Sequence, residues 1–213
     1  MFGAHSLKKL LEDYPVAALF LGIAIVLPFA IRIARQFQQN RVRAKEARRR
    51  IIDARDAMLK CFEYQDFYDA FGGYLHAVHH QMDAAEYQEL ALIVKATGNV
   101  DIAFDTEGLD WVLAHWDSGD FDTMVDGAKL LGLEHITKPI RDAQAQFHEK
   151  NLLYKSVRSD AEYKQLYASE AYKQFKVNLG SIEAEFAALG GATLFHETAN
   201  KLLREKMNDM LAG

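Results

Sequence analysis

The sequence predicts an all-α protein in which a single N-terminal transmembrane helix precedes a helical cytoplasmic domain. An uncharged apolar run of helical length extends from Tyr14 to Ile31. The rest of the chain carries helix-capping motifs and apolar residues at helical spacing. No segment shows the sustained alternation with β-branched residues that is typical of strands. With 213 residues, half of them hydrophobic, the chain suffices for one membrane helix and one globular domain.

The apolar run, Tyr14 to Ile31, reads YPVAALFLGIAIVLPFAI. A helix rises about 1.5 Å per residue, so a run of this length approaches the roughly 30 Å of hydrocarbon in a bilayer. We therefore predict a transmembrane helix over residues 14–33. A cleaved signal peptide would need a small-residue cleavage site, which is missing here. A buried core helix rarely stays uncharged over such a length, and an interfacial helix would show a polar face.

Charge is distributed unevenly along the chain. The basic stem, Arg32 to Lys60, holds ten Lys or Arg and three acidic residues, whereas residues 101–142 hold ten Asp or Glu and three basic residues. Positive residues are retained on the cytoplasmic side of a membrane helix. We therefore predict a single-pass protein of the bacterial plasma membrane, with residues 1–13 outside and a basic juxtamembrane helix at 34–62. Residues 63–213 form the cytoplasmic domain.

The basic stem is predicted either to lie against anionic headgroups or to extend the membrane span as a solvated helix. In the first case membrane lipid is a partner of the chain. The residues predicted to contact the membrane surface are Arg41, Arg43, Arg48, Arg49 and Arg50.

The downstream chain divides into helices at caps, glycines and prolines. Two capping boxes, Asp83 to Glu86 and Ser159 to Glu162, predict helix starts. Pro139 predicts another start near Thr137 or Lys138, because proline is tolerated only in a first turn. The first predicted helices cover residues 64–82, with an interruption at Gly72-Gly73, then 83–97 and 106–116. One helix is predicted to end near residue 131, the next to start at about residue 137, and a Tyr-rich helix to cover 159–177. Gly180 and Gly190-Gly191 divide the remaining residues into two more helices.

The segment from Asp105 to Ala143 combines an acidic cluster with a glycine, an aromatic helix, a polar turn and a glycine-bearing break at Gly132. In this order of elements it resembles the signature of a bacterial domain family whose named member is a DNA-mimic protein. It departs from the family where paired glycines are expected, since Glu107 precedes Gly108. The resemblance implies a helical scaffold that presents carboxylates, spaced like phosphates, to a basic DNA-binding protein.

The acidic density of this segment is visible independently of the resemblance, and a negative surface attracts basic partners by long-range steering. Direct binding of nucleic acid is not expected. The alternative is that several of these acids are N-caps, for which Asp105 and Asp120 are candidates, or ordinary solvated residues. The predicted partner-binding residues are Asp105, Glu107, Asp110, Asp117, Asp120, Asp122 and Asp126.

No catalytic motif is found, and no cofactor or metal is predicted. His76 and His80 share a helical face at i, i+4, with His79 beside them, but no third ligand can be assigned. Cys61, the only cysteine, excludes an intrachain disulfide. A Tyr-rich surface is a further candidate for contact with neighbouring chains, although at these spacings such residues more often pack in the core: Tyr154, Tyr163, Tyr167, Tyr172 and Phe175.

The functional hypothesis from sequence is a membrane-anchored, non-enzymatic binding or adaptor protein whose acidic cytoplasmic surface engages a basic protein. Two alternatives stay open. One is a membrane-bound enzyme with a histidine-based metal site. The other is a structural subunit of a membrane complex, and an oligomer is compatible with either.

Overall fold

The computed structural model describes residues 15–62 and 67–212. Every regular element in these two ranges is helical, so the predicted all-α fold is confirmed. A π-helical segment at Ile102–Thr106 and 3₁₀ turns at His79–Gln81 and Glu134–Ile136 lie between α-helices. The α-helices are α1 (Pro15–Lys60), α2 (Phe67–Val78), α3 (Ala84–Asp101), α4 (Leu109–His115), α5 (Ser118–Leu130), α6 (Thr137–Tyr154), α7 (Asp160–Ala168), α8 (Glu170–Ala188) and α9 (Gly191–Ala212).

Contacts divide the chain into a first unit that ends at Arg50 and a second unit that begins at Ile51. Within the described ranges, no helix combines the length and the apolar character needed to cross a bilayer. The transmembrane helix over residues 14–33 is therefore not supported by the structure and stays a prediction. Residues 1–14, and the side chains of residues 15–26 and of Ala30, lie outside the described part of the chain.

The second unit is built around α3, which packs against α2, α5 and α9. A second pair, α6 and α8, joins this group because α5 packs on α6 and α9 packs on α8. The short helix α4 contacts both α6 and α8. Fully buried aromatic side chains fill the space between the helices, namely Phe67, Phe71, Phe121, Phe186 and Phe195.

Two glycines allow neighbouring helices to approach α3 closely. A Cβ atom at Gly72 in α2 would lie 2.7 Å from Val94 Cγ1, and one at Gly127 in α5 would lie 2.2 Å from Ala96 Cβ. The predicted interruption at Gly72-Gly73 is therefore wrong, because α2 runs through both residues and Gly72 serves as a contact point. Gly127 lies inside a helix, as its surroundings in the sequence indicate.

Several predicted helix starts are confirmed by their caps. Asp83 Oδ1 accepts a hydrogen bond from the Glu86 N–H at 3.2 Å, and Ser159 Oγ accepts one from the Glu162 N–H at 3.4 Å. Pro139 lies in the first turn of α6, where its missing N–H leaves no bond unmade. Local chemistry thus determines where these helices begin.

Other predicted boundaries are wrong. α3 continues through Gly98, where the sequence predicts its end, and Gly180 lies inside α8. The predicted Tyr-rich helix is divided by Ser169 into α7 and α8. The break at Gly190-Gly191 is confirmed, since both residues adopt positive φ angles of 98° and 51° between α8 and α9.

Candidate partner-binding surface

The acidic segment, residues 101–126, contains eight Asp or Glu and no Lys or Arg. It comprises the last residue of α3, the π-helical segment, α4 and most of α5. The predicted helix from Thr106 to Trp116 is shorter in the structure, because the π-helical segment takes up the first of these residues. The acids are therefore distributed over several short consecutive elements.

Asp105 and Glu107 lie on the π-helical segment and the turn that follows it, and both are exposed. The Glu107 N–H donates to Ile102 O at 3.0 Å, which closes the wide turn. Gly108 follows with φ of 83°, and the Leu109 N–H donates to Glu183 Oε1 at 2.9 Å. The turn is thereby attached to α8, while its two carboxylates face solvent. No described residue lies within ion-pair distance of either carboxylate.

Four of the seven predicted partner-binding residues pair with basic side chains of the second unit. These pairs are exposed or half-exposed, and such pairs contribute little to stability because solvent and salt screen them. The pairs are Asp110 with Lys176 (2.9 Å), Asp120 with Lys95 (3.5 Å), Asp126 with Lys129 (2.9 Å) and Asp122 with Arg141.

Asp122 is hydrogen-bonded to the Arg141 guanidinium. Hydrogen bonds from the Arg141 guanidinium and, secondarily, from Gln144 lower the pKa of the Asp122 carboxyl below its ordinary value. The Arg141 guanidinium also contacts Gln144 Oε1 at 2.7 Å, which ties the pair to α6. Asp122 therefore stays ionised under mildly acidic conditions.

Asp117 has a structural role. Its Oδ1 atom accepts the Gly119 N–H at 2.7 Å and caps the N-terminus of α5. The expectation that Asp105 and Asp120 are N-caps is not met, since Asp105 lies within the π-helical segment and Asp120 in the first turn of α5. The capping position in this region belongs to Asp117.

Asp101, the first acid of the segment, lies beside a buried histidine that the sequence did not single out. His196 in α9 is buried, and its Nε2 atom lies 3.7 Å from Asp101 Oδ1. Tyr68 stacks on the His196 ring with centroids 5.6 Å apart, and Thr106 Oγ1 donates to Asp101 Oδ2 at 3.4 Å. These contacts place Asp101 in the internal structure, and no periodicity in the sequence marks His196 as its neighbour.

The Tyr-rich surface is partly exposed and partly packed. Its rings form a chain from Tyr154 through Tyr163, Tyr167 and Tyr172 to Phe175, with centroids 4.9–6.1 Å apart. Phe175 is buried, whereas Tyr163 and Tyr167 are exposed. Burial raises the pKa of the Tyr154 and Tyr172 hydroxyls, so both stay protonated. Part of this group of rings is therefore available for contact with another chain, and part of it packs in the core.

The histidine cluster is brought together only in part. The rings of His76 and His79 stack at 5.6 Å, and those of His79 and His80 meet edge to face at 5.3 Å. His79 Nδ1 lies 2.7 Å from the His76 carbonyl oxygen. In the part of the chain that the structure describes, no group of three or more His, Cys, Asp or Glu is arranged to hold a metal ion.

The predicted membrane-surface arginines all lie in α1 and are exposed. They belong to the first unit, and their contact with lipid stays a prediction. They are Arg41, Arg43, Arg48, Arg49 and Arg50.

No family model, curated protein or solved structure matches this chain. The resemblance to the DNA-mimic family, carried by Asp105 to Ala143, therefore stays an expectation.

Proposed function

We propose that this chain is a membrane-tethered helical binding module whose acidic segment engages a basic protein. The observation that carries the proposal is the exposure of Asp105 and Glu107 on a turn held by Glu183, with no cation paired to either carboxylate among the described residues. A turn fixed to α8 presents these charges at low conformational cost. The paired acids around it add charge that a basic partner can share.

The tether is supported by the sequence of the first unit. The run from Tyr14 to Ile31 holds no charge, and the basic stem follows it directly. α1 continues without interruption from Pro15 to Lys60. Apolar side chains at the end of the predicted span, including Leu27 and Phe29, are exposed, as is expected of residues that lipid would cover.

The nature of the partner follows from charge. A carboxylate-rich surface repels nucleic acid and attracts lysine and arginine side chains. The resemblance to the DNA-mimic family points to the same class, a basic DNA-binding protein.

The test is a pull-down over a series of salt concentrations, using the full chain in mild detergent. We expect the wild type to capture basic proteins and to lose them as ionic strength rises. The double variant Asp105→Asn with Glu107→Gln should capture several-fold less at each salt concentration. The matched control removes two exposed acids from other helices, Glu149→Gln with Glu197→Gln, and should behave like the wild type.

If the partners are not basic, or if capture does not respond to salt, the proposal fails. If both double variants weaken capture equally, net charge alone is responsible and the acidic segment is not the site.

A second candidate, a structural subunit of a membrane complex, is favoured by one observation. The helix α7 buries none of its residues, and Tyr163 and Tyr167 are exposed on it. Exposed tyrosines are typical of protein interfaces. Native mass spectrometry in mild detergent should then show an oligomer that the double variant Tyr163→Ala with Tyr167→Ala disrupts, and a monomeric wild type would refute this candidate.

A further inference from the structure

The basic stem carries a heptad pattern of contact positions along α1. Counting Phe37 as position a, positions a and d alternate at spacings of four and three residues through one continuous helix. The residues at these positions are Ile33, Phe37, Asn40, Ala44, Ala47, Ile51, Ala54 and Met58. All but Asn40 are apolar, so the pattern is that of a helix that packs along one side.

The a and d positions of α1 that belong to the second unit are buried or half-buried. Met58 is fully buried, and Ile51 and Ala54 are half-buried against the core. Ile52 and Leu59, equally apolar but outside positions a and d, are exposed. Burial in this part of α1 therefore falls on positions a and d.

In the first unit the same positions are uncovered. Ile33 is 54% exposed and Phe37 is 66% exposed. Asn40, Ala44 and Ala47 are exposed as well. Ile33 is the last residue of the predicted span, so we call the other four residues, Phe37, Asn40, Ala44 and Ala47, the stem seam. The two alanines leave room for a second helix to approach closely.

From Phe37 onwards the flanks of the stem seam are positive, whereas before Phe37 positions e and g hold Ala34 and Gln36. Between Phe37 and Ile51, every position e and g is an arginine: Arg41, Arg43, Arg48 and Arg50. The acidic residues of the stem, Glu46, Asp53 and Asp56, occupy positions c and f on the opposite side. No described residue lies within ion-pair distance of the four flanking arginines. Basic residues lie on that opposite side too, among them Arg35, Lys45 and Arg49 at positions b and f, so the seam is distinguished by the four arginines that flank it.

We propose that the stem seam binds one amphipathic α-helix of a partner protein that carries Asp or Glu on both sides of its own apolar seam. Positions e and g face the partner in a coiled coil and set partner choice by charge. Asn40 is expected to face a polar residue, since a polar seam residue fixes register. This site lies in the first unit and is independent of the acidic segment.

A second copy of this chain does not fit the seam. Parallel helices would place position g of one chain against e of the other, and antiparallel helices would pair e with e and g with g. Either arrangement opposes arginine to arginine, which is destabilising. The flanking charges therefore select a different, acidic helix.

An anionic membrane surface fits less well. With the predicted span ending at Ile33, Arg48 and Arg50 lie roughly 20–25 Å further along α1, at about 1.5 Å per residue. The Debye length at physiological ionic strength is about 8 Å, so attraction to headgroups is largely screened there. α1 is helical without interruption through this region.

The test uses the full chain in phosphatidylcholine nanodiscs and two synthetic four-heptad peptides. Both peptides carry Leu and Ile at a and d with one central Asn. One has Glu at every e and g position, and the other has Lys there. We expect the Glu peptide to bind, measured by fluorescence anisotropy, and the Lys peptide not to bind.

Charge exchange provides the decisive variant. Arg43→Glu with Arg48→Glu should raise the Kd for the Glu peptide about tenfold or more, and glutamate at all four flanking positions should create binding of the Lys peptide. The matched control, Arg35→Glu with Lys45→Glu, changes the same net charge at positions f and b and should leave both affinities within about threefold. Unchanged circular dichroism spectra establish that the variants are folded.

Any of three results overturns the proposal. The first would be that the Glu peptide does not bind the wild type. The second would be that the two double variants weaken binding of the Glu peptide equally. The third would be that nanodiscs containing phosphatidylserine abolish binding of the Glu peptide. The last result assigns the stem to the lipid surface. None of these results bears on capture of basic proteins by the acidic segment, so the two proposals fail separately.

Discussion

Gly127 illustrates how a single missing Cβ atom determines a helix crossing. Glycine inside a helix is less favourable than alanine by about 1 kcal/mol. At Gly127, however, an added methyl group would lie 2.2 Å from the Ala96 methyl group, closer than any carbon contact allows. The packing of α5 on α3 outweighs helix propensity at this residue.

We predict that Gly127→Ala destabilises the protein by about 1–2 kcal/mol, since overpacking of a core costs about 1–3 kcal/mol and the gain in helix propensity offsets part of it. Chemical denaturation followed by far-ultraviolet circular dichroism measures the change. Gly73→Ala is the matched control, because a Cβ atom there meets nothing within 4 Å inside α2. The control should stabilise the protein by about 0.5–1 kcal/mol. Stabilisation by both variants would contradict the close contact.

At the scale of elements, the N-terminus of α7 shows how a capping box holds a helix that buries no residue. Ser159 Oγ–H donates to Glu162 Oε2 at 3.0 Å, and the Arg158 N–H donates to the same oxygen at 2.7 Å. These bonds, the backbone one foremost, lower the pKa of the Glu162 carboxyl below its ordinary value. The charged form is therefore favoured in the folded state.

We predict that α7 loosens at low pH. A carboxyl whose pKa is lowered by folding stabilises the folded state above its unfolded pKa, about 4.5, and loses that contribution as the pH falls through the folded value. Titration of Glu162 by carbon NMR should show a midpoint below the ordinary value. Ser159→Ala should shift the midpoint upwards, whereas the exposed neighbour Ser156→Ala should not. An ordinary midpoint in the wild type would refute the prediction.

The elements that the sequence predicts correctly are those defined by local chemistry. Asp83, Ser159 and Pro139 act on backbone groups within a turn of themselves, so their positions can be read directly. Gly72 and Gly98 look like breaks in the sequence but are not, because residues of other helices decide whether a glycine ends a helix or allows close packing. The contact of Gly72 with Val94 joins two helices that no local pattern relates.

The candidate site likewise combines features that the sequence shows locally with contacts that only the fold creates. The acidic segment is evident from composition alone, but its internal partners are not. Lys95 and Lys176 reach Asp120 and Asp110 from α3 and α8, and only the fold brings them together. The sequence therefore predicts which residues carry charge, and the structure shows that Asp105 and Glu107 are exposed acids without an ion pair among the described residues.

At the scale of the whole molecule, the two proposed binding sites differ in charge and lie in different units of the chain. The stem is basic and the acidic segment lies in the second unit. Because both proposed contacts are electrostatic, both should weaken with salt, but only the stem seam also requires apolar contact. Changes at Phe37 should therefore leave capture of basic proteins unchanged.

The tether is tested by placing charge at the centre of the apolar run. We predict that the wild type is recovered in the membrane fraction after an alkaline carbonate wash. Gly22→Arg with Ile23→Arg should move much of it to the supernatant, because an arginine near the bilayer centre costs about 2.5–3.5 kcal/mol on insertion scales. The control, Gln38→Arg with Gln39→Arg, adds the same charge beyond the run and should stay with the membrane, since positive residues are favoured on that side. Recovery of the wild type in the soluble fraction without detergent would refute the proposed tether. Equal release of both variants would show that the added charge weakens membrane attachment through the stem and not through a spanning helix.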